Sequence, residues 1–405
     1  MKWEIAKLGD ISKNIQTGPF GSQLHQSDYS ECGIPVVMPK DLVGGKISEE
    51  SIARVDKTHV ERLCRHKIEV GDILYSRRGD VGRCAHVTKK EEGWLCGTGC
   101  LRVTIDSEKA DSRFVFFQLQ HPDTIGWVEK HAVGATMLNL NTTILSSVPI
   151  RLPALEIQKR IADILSAYDD LIENNQKQIK LLEEAARRLY KEWFVDLHFP
   201  GHENTKIVDG VPEGWNWCKL EDAIQLDPKV TLTKERMKQF IPMSALSTSS
   251  MVLDESQFTE TTSNSGSKFQ NGDTLLARIT PCLENGKTAY VSGLKSDEGA
   301  VGSTEYIVMR AKTINSYMVY LLARTDDFRQ SAINSMSGSD GRQRVKSDKL
   351  KMLDYLHPTS ELVEKFENVE EPIFEKIYRL SKQMQQAKQA RDLLLPKLMS
   401  GEVEV

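Results

Sequence analysis

PALEIQKRIADILSAYDDLIENNQKQIKLLEEAARRLYKEW, residues Pro153–Trp193, sets apolar side chains at Ile157, Ile161, Ile164, Tyr168, Leu171, Ile179, Leu182, Ala186, Leu189 and Trp193. Steps of three and four residues put these side chains on one stripe of an α-helix. Asn175 interrupts the stripe, and a polar residue at such a place can fix register and partner at some cost in stability. A weaker echo runs from Pro358 to Leu398, through Leu362, Phe366, Val369, Ile373, Ile377, Leu380, Met384, Ala387, Leu394 and Leu398. Because proline suits a first helical turn and not an interior, Pro372 predicts a break near Glu371 and a long helix beginning at Pro372. The equivalent break in the first copy falls near Ser166–Ala167. Each stripe needs an apolar partner, and the other stripe is the nearest candidate.

Outward from the helices, the chain repeats itself at a period of roughly 200 residues, too long for a solenoid and suited to a duplicated domain. Trp3, Lys7, Leu8 and Asp10 match Trp215, Lys219, Leu220 and Asp222. Ile34-Pro35-Val36 matches Ile241-Pro242-Met243, and Gly71-Asp72 through Arg77 matches Gly272-Asp273 through Arg278. Gly82-Arg83-Cys84-Ala85 matches Gly286-Lys287-Thr288-Ala289, and Gly134 and Gly338 precede the two helices. Strands are expected at Ile34–Met38, Asp72–Ser76, Cys100–Ile105, Thr274–Arg278 and Glu305–Met309, with short helices at Ser112–Gln120 and Ser316–Ala323. The expected fold is α+β. Two β-rich domains, residues 1–152 and 214–357, each precede a helical region, residues 153–213 and 358–405. If the long helices pair, connectivity makes them antiparallel, a coiled coil with a pseudo-two-fold repeat and one domain at each end.

The chain has 405 residues, enough for two or three cores, and 40% hydrophobic with 27% charged residues is ordinary for a soluble protein. No apolar run approaches the roughly 20 residues of a membrane span, and the N-terminus lacks a signal peptide's apolar core, so a cytoplasmic protein is expected. Seven scattered cysteines fit reduced thiols. A net charge of −4 excludes a globally basic nucleic-acid binder and leaves local patches to do any phosphate contact.

Catalytic signatures are missing. Pro281-Cys-Leu-Glu-Asn-Gly-Lys287-Thr288 has proline where a P-loop has its first glycine, which removes an N–H the phosphates need. Cys84, Cys96 and Cys100 with His86 are too loosely spaced to define a zinc site, and no metal is expected. What stands out is basic and polar residues in turns. Arg77, Arg78 and Arg83 form one cluster and Arg278 with Lys287 its counterpart; Asn139 and Asn141 match a second loop carrying Arg342 and Arg344. Ser22 closes a Gly-rich loop, Thr17–Ser22. Arginine pairs with guanine edges, asparagine with adenine, and lysine with phosphates, so these ten residues are the candidate DNA contacts.

The opening Trp-x3-Lys-Leu-x-Asp, the Gly-Pro-Phe-Gly-Ser loop, the Gly-Asp-Ile-Leu-x-Ser-Arg strand and Leu-Pro-x-Leu-Glu-Ile-Gln-Lys-Arg-Ile-Ala together resemble a specificity (S) subunit of a type I restriction–modification system. So do Trp193–Gly201 and Leu394–Gly401, and the resemblance covers essentially the whole chain. The second domain departs most, lacking the Gly-Pro-Phe-Gly-Ser loop. The resemblance implies a non-catalytic DNA-reading subunit whose two target recognition domains each read half of a bipartite sequence. It also implies docking of two methyltransferase subunits that bind S-adenosylmethionine and methylate adenine, and a separate motor-nuclease subunit that uses ATP and Mg. Competing readings are a zinc- or nucleotide-dependent enzyme built on the Cys84/Cys96/Cys100 or Gly286-Lys287 groups, and a coiled-coil structural adaptor.

In this reading the helices set the distance between the half-sites. Residues 167–193 as helix rise ~1.5 Å each, roughly 40 Å in all, about one turn of duplex at ~3.4 Å per base pair. Four helix-forming residues inserted between Gln176 and Glu183 add at most ~6 Å and roughly keep the apolar face. Sequencing of methylated DNA should show the unread spacer lengthened by about one or two base pairs with both half-sites unchanged. An unchanged spacer at full activity contradicts the distance-setting role.

Overall fold

The structure, a computed structural model, describes residues 3–20, 23–134, 138–296, 299–339 and 341–405. It forms two compact units. The first comprises Met1–Leu171 and Gln386–Val405, the second Ile172–Gln385. Each unit therefore holds a strand-rich domain together with parts of both long helices, Leu155–Tyr190 and Ser360–Ser400.

The landmarks of the sequence repeat are the joints of a repeated scaffold. In the first unit, Glu4–Lys7 pairs antiparallel with Pro149–Leu152; in the second, Asn216–Lys219 pairs with Asp354–His357. The turn that follows each opening strand is closed the same way. Asp10 Oδ2 accepts the Lys7 N–H at 3.3 Å and Asp222 Oδ2 the Lys219 N–H at 3.1 Å, while Leu8 and Leu220 drop into the core. Each domain then builds one four-stranded antiparallel sheet. In the first the order is Ser12–Thr17, Cys100–Ile105, Ile73–Ser76, Cys84–His86; in the second, Ile224–Leu226, Tyr306–Ala311, Thr274–Ala277, Thr288–Tyr290. The Gly-Asp pair ahead of the third strand turns the chain, with Gly71 at φ +90° and Gly272 at φ +88°. The aspartate after it is buried. Asp72 accepts from Thr104 Oγ1 at 2.6 Å and lies 3.8 Å from Arg102; Asp273 takes Arg310 bidentately at 2.6 and 2.7 Å. Stranding either carboxylate by removing its partner costs several kcal/mol, roughly 3–5, which is why the landmark is a pair and not a lone glycine.

A smaller sheet completes each domain, and here the copies diverge. Ile34–Val37 runs parallel to Leu95–Cys96 and antiparallel to Ala53–Val55, as Lys238–Ile241 does with Ala300–Gly302 and Thr259–Thr261. The fourth strand joins opposite edges. Tyr29–Ser30 pairs with Ala53–Val55 in the first domain, whereas Ser267–Phe269 pairs with Ala300–Gly302 in the second. The first domain keeps the rudiment of that second arrangement in the bridge from Lys67 to Leu95 and in the Ile68 N–H on the Trp94 carbonyl at 2.9 Å. On the larger sheet, the outer strand touches the first domain helix by one repeated contact: His86 to Ser112 at 3.1 Å and Tyr290 to Ser316 at 3.0 Å. The expected strands and the helices Ser112–Leu119 and Ser316–Ala323 are present; the helices Pro122–His131 and Asp326–Asn334 escaped the sequence reading.

The long helices run antiparallel within each unit. In the second, Asn175 Nδ2 reaches the Leu380 carbonyl at 3.5 Å while Tyr190 meets the Phe366 ring at 6.1 Å, so one number rises as the other falls. In the first, Asp169 pairs with Arg391 at 2.6 Å, and Ile161 and Leu165 share a cluster with Leu398. Asn175 is buried in the seam, the place from which a polar group discriminates register.

Two expectations are corrected. No break occurs near Glu371 or near Ser166–Ala167: both helices are continuous, and Pro372 sits exposed inside the second. Its ring leaves the Asn368 carbonyl without a helical partner, and since Asn368 is exposed too, water can serve that carbonyl. Phe366, Glu370, Phe374 and Ile377 face inward and Val369 is exposed, while the expected Ile377, Leu380, Ala387 and Leu398 beyond Pro372 are buried; in the first helix Leu171 is turned out. The first helix ends in a π-helical turn, Lys191–Val195, that seats Trp193 against Phe366 with ring centroids 5.4 Å apart.

Glu370 is thus an acid inside an apolar seam. It is wholly buried, neither carboxylate oxygen has a hydrogen-bond partner among the described residues, and burial raises its pKa to about 7. Between the unfolded pKa near 4.5 and the folded value the native state holds the proton that the unfolded chain has lost. Stability therefore falls as pH rises through that window and stays reduced above it, by roughly 3 kcal/mol at the full shift. Glu370→Gln should raise the melting temperature at pH 8 by several degrees and hardly change it at pH 5. An equal effect at both pH values in thermal unfolding refutes the assignment.

Candidate nucleic-acid interface

In each domain the strand that follows Gly-Asp ends at an arginine, Arg77 or Arg278, where a distant loop is laid alongside. The Arg77 N–H donates to the Gly99 carbonyl at 2.8 Å and its carbonyl accepts from Leu140 N at 2.8 Å; its Nε donates to the Leu140 carbonyl at 3.2 Å. Arg278 repeats this. Its N–H donates to the Glu305 carbonyl at 3.0 Å, its carbonyl accepts from Val345 N at 2.9 Å, and Nε and Nη2 donate to the Val345 carbonyl at 3.1 and 2.8 Å. Next along each ladder, Arg78 stands opposite Asn139 and Ile279 opposite Arg344. Both arginines are half-buried and act as clamps on a loop backbone.

The clamp decides what each candidate is free to do. Arg78 and Arg342 are exposed, and neither guanidinium has a side-chain partner among the described residues. Arg83 is exposed in a pair with Asp80 at 2.7 Å, a contact worth little that a ligand can displace. Arg344 grips Glu305 through both oxygens, 2.7 Å from Nη2 to Oε1, which holds that carboxyl below its usual range. Its counterpart Asn139 has no such acid to bind: Gly99 stands where Glu305 stands, and Asn139 Oδ1 is buried without a partner among the described residues. Asn141 caps the helix Thr142–Ser146, accepting the Ile144 N–H at 2.8 Å. Lys287 donates to the Met243 carbonyl at 2.9 Å. Ser22 lies outside the described residues, as do Thr136 and Met137. The part of the Gly-rich loop that is described is held by the Gly18 N–H on the Cys100 carbonyl and by Thr98 Oγ1 on the Pro19 carbonyl, with Phe20 exposed. A Cβ at Gly18 would come within 2.0 Å of the Gly97 oxygen, so only glycine fits there.

In the second domain Arg278 also lines a groove of about 470 Å³ whose walls carry Lys229 and Lys268, neither ammonium paired among the described residues. Asp227, left-handed at φ +47°, ties the groove floor by accepting the Val308 N–H at 3.0 Å and the Ser347 hydroxyl. The sequence reading missed both lysines. The repeat carried a signal for Lys268, since Lys67 stands at the same distance ahead of its Gly-Asp pair.

The enzyme readings lose their chemistry here. Cys84 lies in one apolar cluster and Cys96 and Cys100 in another, so the three thiols do not converge, and burial pushes the Cys84 and Cys96 thiols up to about 12. Among the described residues no group of three or more His, Cys, Asp or Glu side chains is placed to hold a metal ion. Pro281–Lys287 is a turn, with the Gly286 N–H on the Leu283 carbonyl and Gly286 at φ +78°.

Residues 1–184 match the family described as the type I restriction modification DNA specificity domain. The type I restriction enzyme MjaIX specificity subunit of Methanocaldococcus jannaschii is 26% identical over all of this chain and 94% of its own. The HindI specificity subunit of Haemophilus influenzae is 20% identical, over 99% of each. The crystal structure of the type I restriction–modification S subunit from M. genitalium shares the fold, with a TM-score of 0.64 at 15% identity over 98% of this chain and 96% of that one. Over residues 1–184 the chain matches this family, and along its whole length it is similar to the specificity subunits of type I restriction enzymes.

The clamp and the exposed residue beside it make separable predictions. Arg78→Ala should weaken binding to one half of the target by about 1–3 kcal/mol at an unchanged melting temperature. Arg77→Ala should lower the melting temperature as well, because the Leu140 carbonyl loses its side-chain donor. Affinity titrations on targets altered in one half, run with methyltransferase subunits present, with thermal unfolding of the chain beside them, check both; an Arg78→Ala protein that binds every sequence as before places the contact elsewhere.

Proposed function

We propose that the chain reads a bipartite duplex, one half-sequence by each strand-rich domain (residues 1–152 and 214–357), within a methyltransferase complex in the cytoplasm. One observation carries this. Two domains share the same clamp, Arg77 on Leu140 and Arg278 on Val345, yet set different residues beside it, Arg78 and Asn139 in one, Ile279 and Arg344 in the other. A shared frame holding different side chains is what two readers of different sequences need, since base edges are told apart by the donors and acceptors offered to them. Arg77, Arg78, Arg83 and Asn139 belong to the first half-site, and Arg278, Lys287, Arg342, Arg344 and the lysines of the groove to the second.

In this proposal the chain binds no cofactor of its own. Two methyltransferase subunits dock on its helical regions and bring S-adenosylmethionine, and a motor-nuclease subunit, where present, brings ATP and Mg. No helix of the described residues is long and apolar enough to cross a membrane. The net charge of −4 limits what the chain can do alone, because phosphate attraction rests on local patches. By titration at physiological salt the purified chain should bind DNA weakly and with little sequence preference, and become tight and specific when the methyltransferase subunits are added. Nanomolar, sequence-specific binding by the chain alone overturns the division of labour.

A further inference from the structure

The last turns of the first long helix and the helices Ser316–Ala323 and Asp326–Asn334, all in the second unit, enclose a cleft of about 340 Å³ that no part of the reading above uses. Five cations line it, Arg187, Arg188, Lys191, Arg324 and Arg329, against two carboxylates, Glu184 and Asp326, on a chain whose net charge is −4. The carboxylates do not suffice. Glu184 serves both Arg187, at 3.3 Å, and Arg188, at 2.7 Å. Asp326 serves Arg329 at 2.6 Å, and Lys191 turns to Asp196. Arg324 has no acid within reach of a salt bridge among the described residues: its Nη1 donates to the Gly286 carbonyl at 2.7 Å and the Thr248 carbonyl at 3.2 Å. Arg187 Nε is buried with no partner among the described residues. Glu183, behind them, directs its carboxylate to Ser250 Oγ and Met251 N, both at 2.7 Å.

The fold does not require these arginines. Gln120 caps the helix Ser112–Leu119 of the first domain where Arg324 caps Ser316–Ala323 in the second. A Cβ at Gly82 would meet Ile125 at 3.1 Å, and one at the matching Gly286 would meet Arg329 at 3.1 Å, so Ile125 stands where Arg329 stands. The first unit thus builds the same corner from an amide and an alkyl chain. Converging guanidinium groups that outnumber the carboxylates among them, Arg324 held by carbonyls alone, match the oxygen pairs of a phosphate.

We infer that this cleft is a phosphate-binding site. Its source of phosphate is the backbone of the bound DNA, which rests on the DNA-reading function proposed above, or a free phosphate ion. The test uses the full chain and two variants, Arg324→Gln/Arg329→Ile, which installs the first unit's side chains, and Arg188→Ala, whose side chain is 77% exposed and does not hold the fold. In the first arm, inorganic phosphate is compared with chloride at matched ionic strength by thermal unfolding. The wild type should be protected and the double variant not, with Arg188→Ala protected less; if the double variant does not fold, Arg188→Ala carries the comparison alone. No protection of the wild type, or equal protection of all three, overturns the site. In the second arm, duplex DNA is titrated against salt with the methyltransferase partners present. Loss of about one unit from the slope of log K against log salt in the double variant, at an unchanged target sequence, identifies the source as a backbone phosphate. Site-specific protection with an unchanged slope identifies a free phosphate, and DNA binding by none of the proteins sinks the DNA reading while the first arm still decides the site.

Discussion

Neither domain closes its core with its own residues. In the first unit Leu8, Phe114 and Ile150 pack with Ile161 and Leu165 from the start of one long helix and with Leu398 and Met399 from the end of the other. In the second, Trp215, Leu220 and Phe328 pack with Tyr190 and Trp193 from the end of the first helix and with Leu362 and Phe366 from the start of the second. Phe366 alone meets the rings of Tyr190, Trp193 and Phe194 at 6.1, 5.4 and 4.8 Å. Aromatic pairs of this kind contribute about 0.5–1.5 kcal/mol each beyond the area they bury. Each domain is therefore complete only when segments far apart in the chain meet on it, and the antiparallel course of the helices within each unit follows from that requirement.

The seam that does this work is not purely apolar. Gln158 bonds the Asp111 N–H and the Pro153 carbonyl, fixing the start of the first long helix to its own domain, and Asn315 does the equivalent task by donating to the Val363 carbonyl. Glu183 holds the loop at Ser250–Met251 against the end of the same helix. Gln158 and Asn315 bond through both amide atoms, so their burial costs little and position is gained, while Glu183 is held at one oxygen and burial raises its pKa. Glu370, which has no partner, shows the other side of the same chemistry.

The reading from sequence recovered the architecture because its evidence was periodic or repeated. Lys7–Asp10 and Gly71-Asp72 stood out as landmarks, and the structure explains them as turn closures and a buried ion pair. The break expected at Pro372 was misread, because local proline chemistry argued for a stop that tertiary packing overrides, while the stripe beyond it, Ile377, Leu380, Ala387 and Leu398, is buried as expected. Sites were less legible. That Arg77 and Arg278 clamp a loop 63 and 67 residues away depends on which backbone carbonyl comes to lie beside them, and nothing in a linear string records this. Lys229 is unremarkable in sequence and Lys268 is marked only by its repeat partner Lys67; the groove that both line brings them together.

The central claim is that the two clamped frames are independent readers carried on one scaffold. It is tested most directly by exchanging residues 1–152 for the first domain of a related type I specificity subunit and sequencing the methylated DNA of cells that also carry the proposed methyltransferase partner. The account predicts a motif with one half replaced and the other, with its spacer, retained. A motif altered in both halves, or lost while the complex still assembles, contradicts it.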